Sequence, residues 1–159
     1  MSEVVVLDAV GVAMVARAVR DVRAGSGVHG EPRWEVLPED VATVLRTRLA
    51  RGIDDACRAH LDDYARELDE IAEAALALDQ HEHEIDHQLR WWGDRVRTLE
   101  GQLSGHPADD VDVIRELALY RGRISGATAL RAHYAQQRAA LVDRNRRADA
   151  RCAEQLGGD

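Results

Sequence analysis

The feature that most constrains this chain is a run of fifteen positions at steps of three and four. They are Ile53, Cys57, Leu61, Tyr64, Leu68, Ile71, Ala75, Leu78, Glu82, Ile85, Leu89, Trp92, Val96, Leu99 and Leu103, and Glu82 is the one polar member. Such spacing keeps every side chain on one stripe of a helix, and a stripe this long is a seam that must be covered by another helix. Only six residues are aromatic and Phe is absent, so Leu, Val, Ile and Ala must supply most of that cover. This is the composition of a helical bundle.

The seam predicts a helix over about 38–104. Pro38 is placed to open it, because a missing N–H costs nothing in a first turn, and Glu39 and Asp40 suit the positive end of the helix dipole. The run Ser104-Gly105-His106-Pro107 is expected to stop it with a left-handed cap and a residue that breaks the ladder. A second pattern follows over about 108–156, with Ile114, Leu117, Tyr120, Ile124, Ala127, Leu130, Tyr134, Leu141, Ala148 and Cys152 on one face. Ahead of both, Val12, Val15, Val19 and Val22 predict a helix over about 7–24, and the Gly- and Pro-rich stretch 25–38 is a loop. The expected fold is all-α: a long antiparallel helical hairpin with an additional N-terminal helix. One domain over 1–159 is expected, with 1–37 as N-terminal helix and loop and 38–156 as the hairpin. Whether the first arm bends near Gly52 or Gln80 is left open by the pattern.

In an antiparallel pair the numbers of facing residues share a sum. A sum of 209 sets Trp92 against Leu117, Ile85 against Ile124 and Leu61 against Ala148, with Asp62 and Asp63 level with Arg147 and Arg146. It also brings Cys57 opposite Cys152, where a disulfide and two buried free thiols are equally consistent readings.

Several function classes are disfavoured by composition. All 21 basic residues are Arg, which points to a GC-rich, bacterial genome, and the net charge of -8 opposes a nucleic-acid partner. The basic run Arg144, Arg146, Arg147 and Arg151 is itself broken by Asp143 and Asp149. No membrane span is expected, since no stretch of 18 apolar residues occurs, and no basic residue precedes the N-terminal apolar run as a Sec signal requires.

His83-Glu84-Ile85-Asp86-His87 reads as the H-E-x-x-H of zinc peptidases, in which two histidines one turn apart hold the metal and the Glu activates water. Measured from the seam at 100° per residue, His83 and His87 lie roughly 100° and 140° away from the apolar face. Both are expected at solvent, where they are at most a weak surface metal site. No metal or other cofactor is expected, and a zinc-dependent hydrolase is the third-ranked reading. The same stretch contains Glu84-x-x-His87, but the second such pair that a di-iron bundle needs is missing from the chain.

Residues expected to shape interactions are Trp34, Trp92, Glu82, Gly122 and Gly126. Trp34 is expected to anchor the loop on the bundle rather than stand free as a partner-binding hot spot. Glu82 is a polar seam position of the kind that fixes register. Gly122 and Gly126 sit inside an otherwise helix-favouring segment, and close packing beside the stretch 85–92 is the expected compensation. The acidic positions Glu67, Asp69, Glu70 and Glu73 read as a solvated face.

The stretch VATVLRTRLARGIDDACRAHLDDYARELDEIAEAALALD, preceded by an apolar helix and a loop containing Trp34, resembles the second helix of the ESX-associated excreted proteins. These belong to the WXG-like superfamily of actinobacterial type VII (ESX) secretion, and the likeness covers residues 3 to about 80. The resemblance implies a non-enzymatic helical hairpin that pairs with a helical partner, as a homo- or heterodimer. It also implies a protein that is cytoplasmic before export and secreted by a Sec-independent route. Trp34-Glu35-Val36 lacks the Gly of the W-x-G turn, and Trp91-Trp92-Gly93 places those letters within a helix. The export signature Y-x-x-x-[D/E] is absent, since Leu68, Ile124 and Arg138 stand four beyond Tyr64, Tyr120 and Tyr134. The other reading of the same seam is a structural coiled-coil or adaptor module unconnected with secretion.

Overall fold

A computed structural model describes residues 7–25, 33–105 and 110–158 of the chain, and among these the elements are all helical. Helix α1 spans Ala9–Ala24, a 3-10 turn covers Trp34–Val36, and α2, α3 and α4 span Glu39–Arg51, Asp55–Gly105 and Val111–Gly157. The long pair α3 and α4 forms the expected antiparallel hairpin.

Local chemistry accounts for the helix ends. Asp8 caps α1 by accepting a 2.9 Å hydrogen bond from the Val10 N–H, and Gly25 closes it at a φ of 75°. Pro38 precedes the first turn of α2, which carries Glu39 and Asp40. The first arm of the hairpin is in two pieces: Gly52 adopts a φ of 96°, a conformation that glycine reaches without strain, and the helix stops there. Asp54 starts it again, accepting a 2.7 Å hydrogen bond from the Cys57 N–H. Around Gln80 the helix is unbroken. Gly105 is still helical at the far end, so it is not the left-handed cap expected of it, and the rest of that turn, 106–109, lies outside the described residues.

Contacts divide the chain into two compact units, Met1–Leu76 with Arg138–Asp159, and Ala77–Gln137. In the first, four helices share one core. Val12, Ala16, Val19 and Val22 of α1 and Val41, Ala42 and Leu45 of α2 join Leu61, Leu68, Ile71 and Ala75 of α3 and Ala148, Cys152 and Leu156 of α4. The second unit is two-stranded. Its buried residues are Leu78, Ile85, Leu99, Leu117 and Ala127, with Leu89, Trp92, Val96, Tyr120 and Ile124 half-buried. Two helices alone cover only one stripe of each other, which is why this unit buries fewer side chains.

Every described seam position of α3 is buried or half-buried. Its partners on α4 depart from the 209 register in one direction. Trp91 meets Tyr120 and Arg95 meets Glu116, two residues beyond the expected level, and Asp86 pairs with Arg131, eight beyond. The cause is side-chain direction. Long side chains lean toward the N-terminus of their own helix, so in an antiparallel pair they cross, and each tip meets a residue further along α4 than the one level with its Cα. The expected pairs of Asp62 and Asp63 with Arg147 and Arg146 are absent for this reason. Asp62 binds Arg23 of α1 and Asp63 binds Arg66, while Arg146 lies 4.0 Å from Asp143.

Candidate functional site: helix faces and their buried polar groups

The HEHEIDH stretch lies on the exposed side of α3 in the two-helix unit. His83 and His87 are both exposed, as their angular positions require, and Ile85 between them is buried. His83 edges an open groove of about 730 Å³, where Gly93 removes a side chain and Asp86, Arg90, Arg97 and Arg131 stand around the gap. Arg131 lies 3.3 Å from Asp86, and Arg97 pairs with Asp94. Among the described residues no group of three or more His, Cys, Asp or Glu is placed to hold a metal ion. His81 instead stacks on Tyr134, with ring centroids 5.5 Å apart. Glu82 and Trp92 are both half-buried seam positions of α3, about 15 Å apart along the helix.

Trp34 packs against the four-helix core from its 3-10 turn, half-buried, with the Arg46 guanidinium 5.1 Å above its ring. Trp34 thus combines apolar contact with the core and a cation–π contact.

The expectation for Gly122 and Gly126 is overturned. A Cβ built at either position would meet nothing within 4 Å, so neither glycine makes room for Trp91 or Arg90. Both point away from α3, roughly 140° and 180° around the helix from buried Leu117. With open space at both sites and ordinary helical backbone, Gly122→Ala and Gly126→Ala should each stabilise the chain by about 0.5–1 kcal/mol. Thermal melting of the single and double variants should show about 2–4 °C per kcal/mol. A lower melting temperature would mean that something occupies that face.

The acidic positions of α3 are not simply a solvated face. Glu67 accepts from Arg144 at 3.2 Å and from Arg151, Glu70 accepts from Arg144 at 2.5 Å, and Asp69 from Arg20 of α1 at 2.5 Å. Two members of the basic run thus clamp α4 to α3 within the molecule. Burial works to raise the Glu67 pKa, but the hydrogen bonds from Arg151 and Arg144 outweigh it and hold the carboxyl below its ordinary range. Its contribution to stability is therefore present above the ordinary carboxylate pKa and lost as pH falls through the lowered one. The pairs are half-exposed, so that contribution is small.

The group least visible in the sequence is a part-buried pair. The Tyr64 hydroxyl donates to Asp149 Oδ1 at 2.6 Å. Burial pushes the Asp149 carboxyl up, the bond from Tyr64 lowers it, and Asp40 nearby raises it. The Tyr64 hydroxyl is itself held above its usual range by burial and by Asp149. One turn before Asp149, the side-chain oxygen of Asn145 is buried without a hydrogen-bond partner among the described residues. The only hint in the sequence is Tyr64 itself: on a mostly aliphatic seam it carries a hydroxyl that needs an acceptor.

Cys57 and Cys152 are both buried free thiols in the four-helix core. Burial raises both, Cys152 to about 12 with help from Asp149 and Cys57; at Cys57 the cations Arg48 and Arg58 oppose the rise.

Taken together these faces define an all-helical protein whose polar groups brace helix against helix. Comparison of the chain with protein-family models, curated proteins and solved structures gives no match.

Proposed function

We propose that this protein is a non-enzymatic helix-association module that works with a helical partner, a second copy or a different chain, in a type VII secretion context. The observation that carries the association reading is the incomplete cover of α4 in the two-helix unit. Ile114 and Leu130, both on the expected seam, remain 45% and 43% exposed, and Leu119 remains 52% exposed. Leu119 and Leu130, eleven residues apart, lie within roughly 20° of each other around α4 and so offer apolar side chains on one side that another helix can bury. The secretion context rests on the resemblance of residues 3 to about 80 to the ESX-associated excreted proteins. No described helix is long and apolar enough to cross a membrane, which is compatible with a Sec-independent passenger.

Light scattering on the purified full chain, alone and co-expressed with helical proteins encoded beside it, tests association. The expected result is a dimer or heterodimer that Leu119→Glu with Leu130→Glu disrupts while helicity is retained. A monomer under every condition would refute the reading. Export is tested in a host with a type VII system, by detecting the protein in culture filtrate with and without the secretion ATPase. Association together with strict retention in the cell would instead support the structural adaptor.

A further inference from the structure

Cys57 lies three residues beyond the Asp54 cap, in the first turn of α3, and Cys152 lies near the end of α4. The Tyr64–Asp149 bond sets their relative level. Tyr64 is two turns beyond Cys57, but its long side chain leans back toward the start of α3. Its hydroxyl reaches Asp149 at 2.6 Å, and Cys152 lies one turn further along α4, in the direction of Cys57. Both are in one core cluster, 5% and 2% exposed. Small side chains at facing positions let two helices approach closely, which is the circumstance in which a disulfide can span them.

We propose that Cys57 and Cys152 are the attacking and resolving thiols of an oxidative crosslink that ties the end of α4 to the start of α3. The co-reactant is a low-molecular-weight disulfide. The Cys57 thiolate attacks one of its sulfurs, expelling one small thiol and leaving a mixed disulfide on Cys57. The Cys152 thiolate then attacks the Cys57 sulfur, forming the internal bond and expelling the second small thiol. Two protein thiols lose two protons and two electrons, and the co-reactant is reduced to two thiols. The order follows from the surroundings. Burial raises both thiols and Asp54 adds to the rise at Cys57, but Cys57 stands at a helix N-terminus with Arg48 and Arg58 working against it, whereas Cys152 is more deeply buried and has Asp149 beside it.

Residues 52–54 next to Cys57 are non-helical, and the Arg48 guanidinium Nε donates to the Leu156 carbonyl at 2.5 Å, tying the last turn of α4 to α2. The crosslink does not depend on export, although an oxidising exterior is where it would persist.

The test treats the reduced full-length chain with oxidised glutathione and reads intact mass and linked peptides after alkylation. The expected product has lost two hydrogens, carries no glutathione, joins Cys57 to Cys152 and melts at a higher temperature. Cys152→Ala should accumulate a glutathione adduct on Cys57, and Cys57→Ala should form its adduct on Cys152 about tenfold more slowly. The proposal fails if both wild-type thiols remain alkylatable under conditions that oxidise the urea-unfolded chain. It fails equally if the only disulfide formed is between molecules. Equal adduct rates in the two alanine variants would overturn the assigned order.

Discussion

Leu68→Ala should lower the unfolding free energy by about 2–5 kcal/mol, the range for truncating a large aliphatic side chain in a packed core. Leu68 is 1% exposed on the α3 seam, in the four-helix unit where α1, α2 and α4 all contribute to the same cluster. Removing its branched end leaves a void that neighbours on three other helices cannot all close around. Leu76 is the internal control. It lies eight residues further along the same helix, is 52% exposed, and Leu76→Ala should change stability by less than about 0.5 kcal/mol. Urea unfolding of the two variants checks the pair. Equal losses would mean that the stripe is not the face α3 buries.

Tyr64→Phe should cost about 1–3 kcal/mol near neutral pH, although it removes a single oxygen. The loss follows from what stays behind: an Asp149 carboxylate held among buried neighbours, with its donor gone. The pH dependence has a definite sign. Asp149 is already raised in the folded protein, so between its unfolded pKa and its folded pKa the native state binds more protons, and its stability falls as pH rises through that window. Without the hydroxyl, the bond that lowers the carboxyl is lost and the folded pKa climbs further. The variant's deficit should therefore be smallest near about pH 4 and grow toward about pH 7. Unfolding measurements at both values test this; a deficit that shrinks with rising pH would show that Asp149 is not ionised against Tyr64 in the native state. Glu67, whose carboxyl is lowered by Arg151 and Arg144, titrates in the opposite sense in both proteins and cancels in the comparison.

Two of the expected sites changed meaning once the helices were in place. Gly122 and Gly126 interrupt a helix-favouring segment, and a sequence pattern cannot distinguish a glycine that admits a neighbour from one that faces open space. The difference is the rotation of α4 relative to α3. The acidic stretch of α3 and the arginines of α4 are each ordinary solvated faces when read alone. They meet because Glu67, Glu70, Arg144 and Arg151 sit on the borders of two stripes that pack together. His83 and His87, by contrast, needed no partner to be placed, since their angle from the seam already put them at solvent.

What the amino-acid order determined unaided was whatever depends on short-range periodicity and backbone chemistry. That includes the helical class, the seam from Ile53 to Leu103, the hairpin, the start after Pro38 and the exposure of the H-E-x-x-H histidines. Such features repeat within a turn or two, and each residue's contribution is set by its neighbours in the chain. What only the tertiary structure decided was which pairs meet across helices: Tyr64 with Asp149, Arg144 with Glu67, Asp62 with Arg23 rather than Arg147, and the break at Gly52, where two acceptable helices end instead of joining. Those outcomes turn on the lean of long side chains and on the space left between packed surfaces, and neither has a period along the sequence.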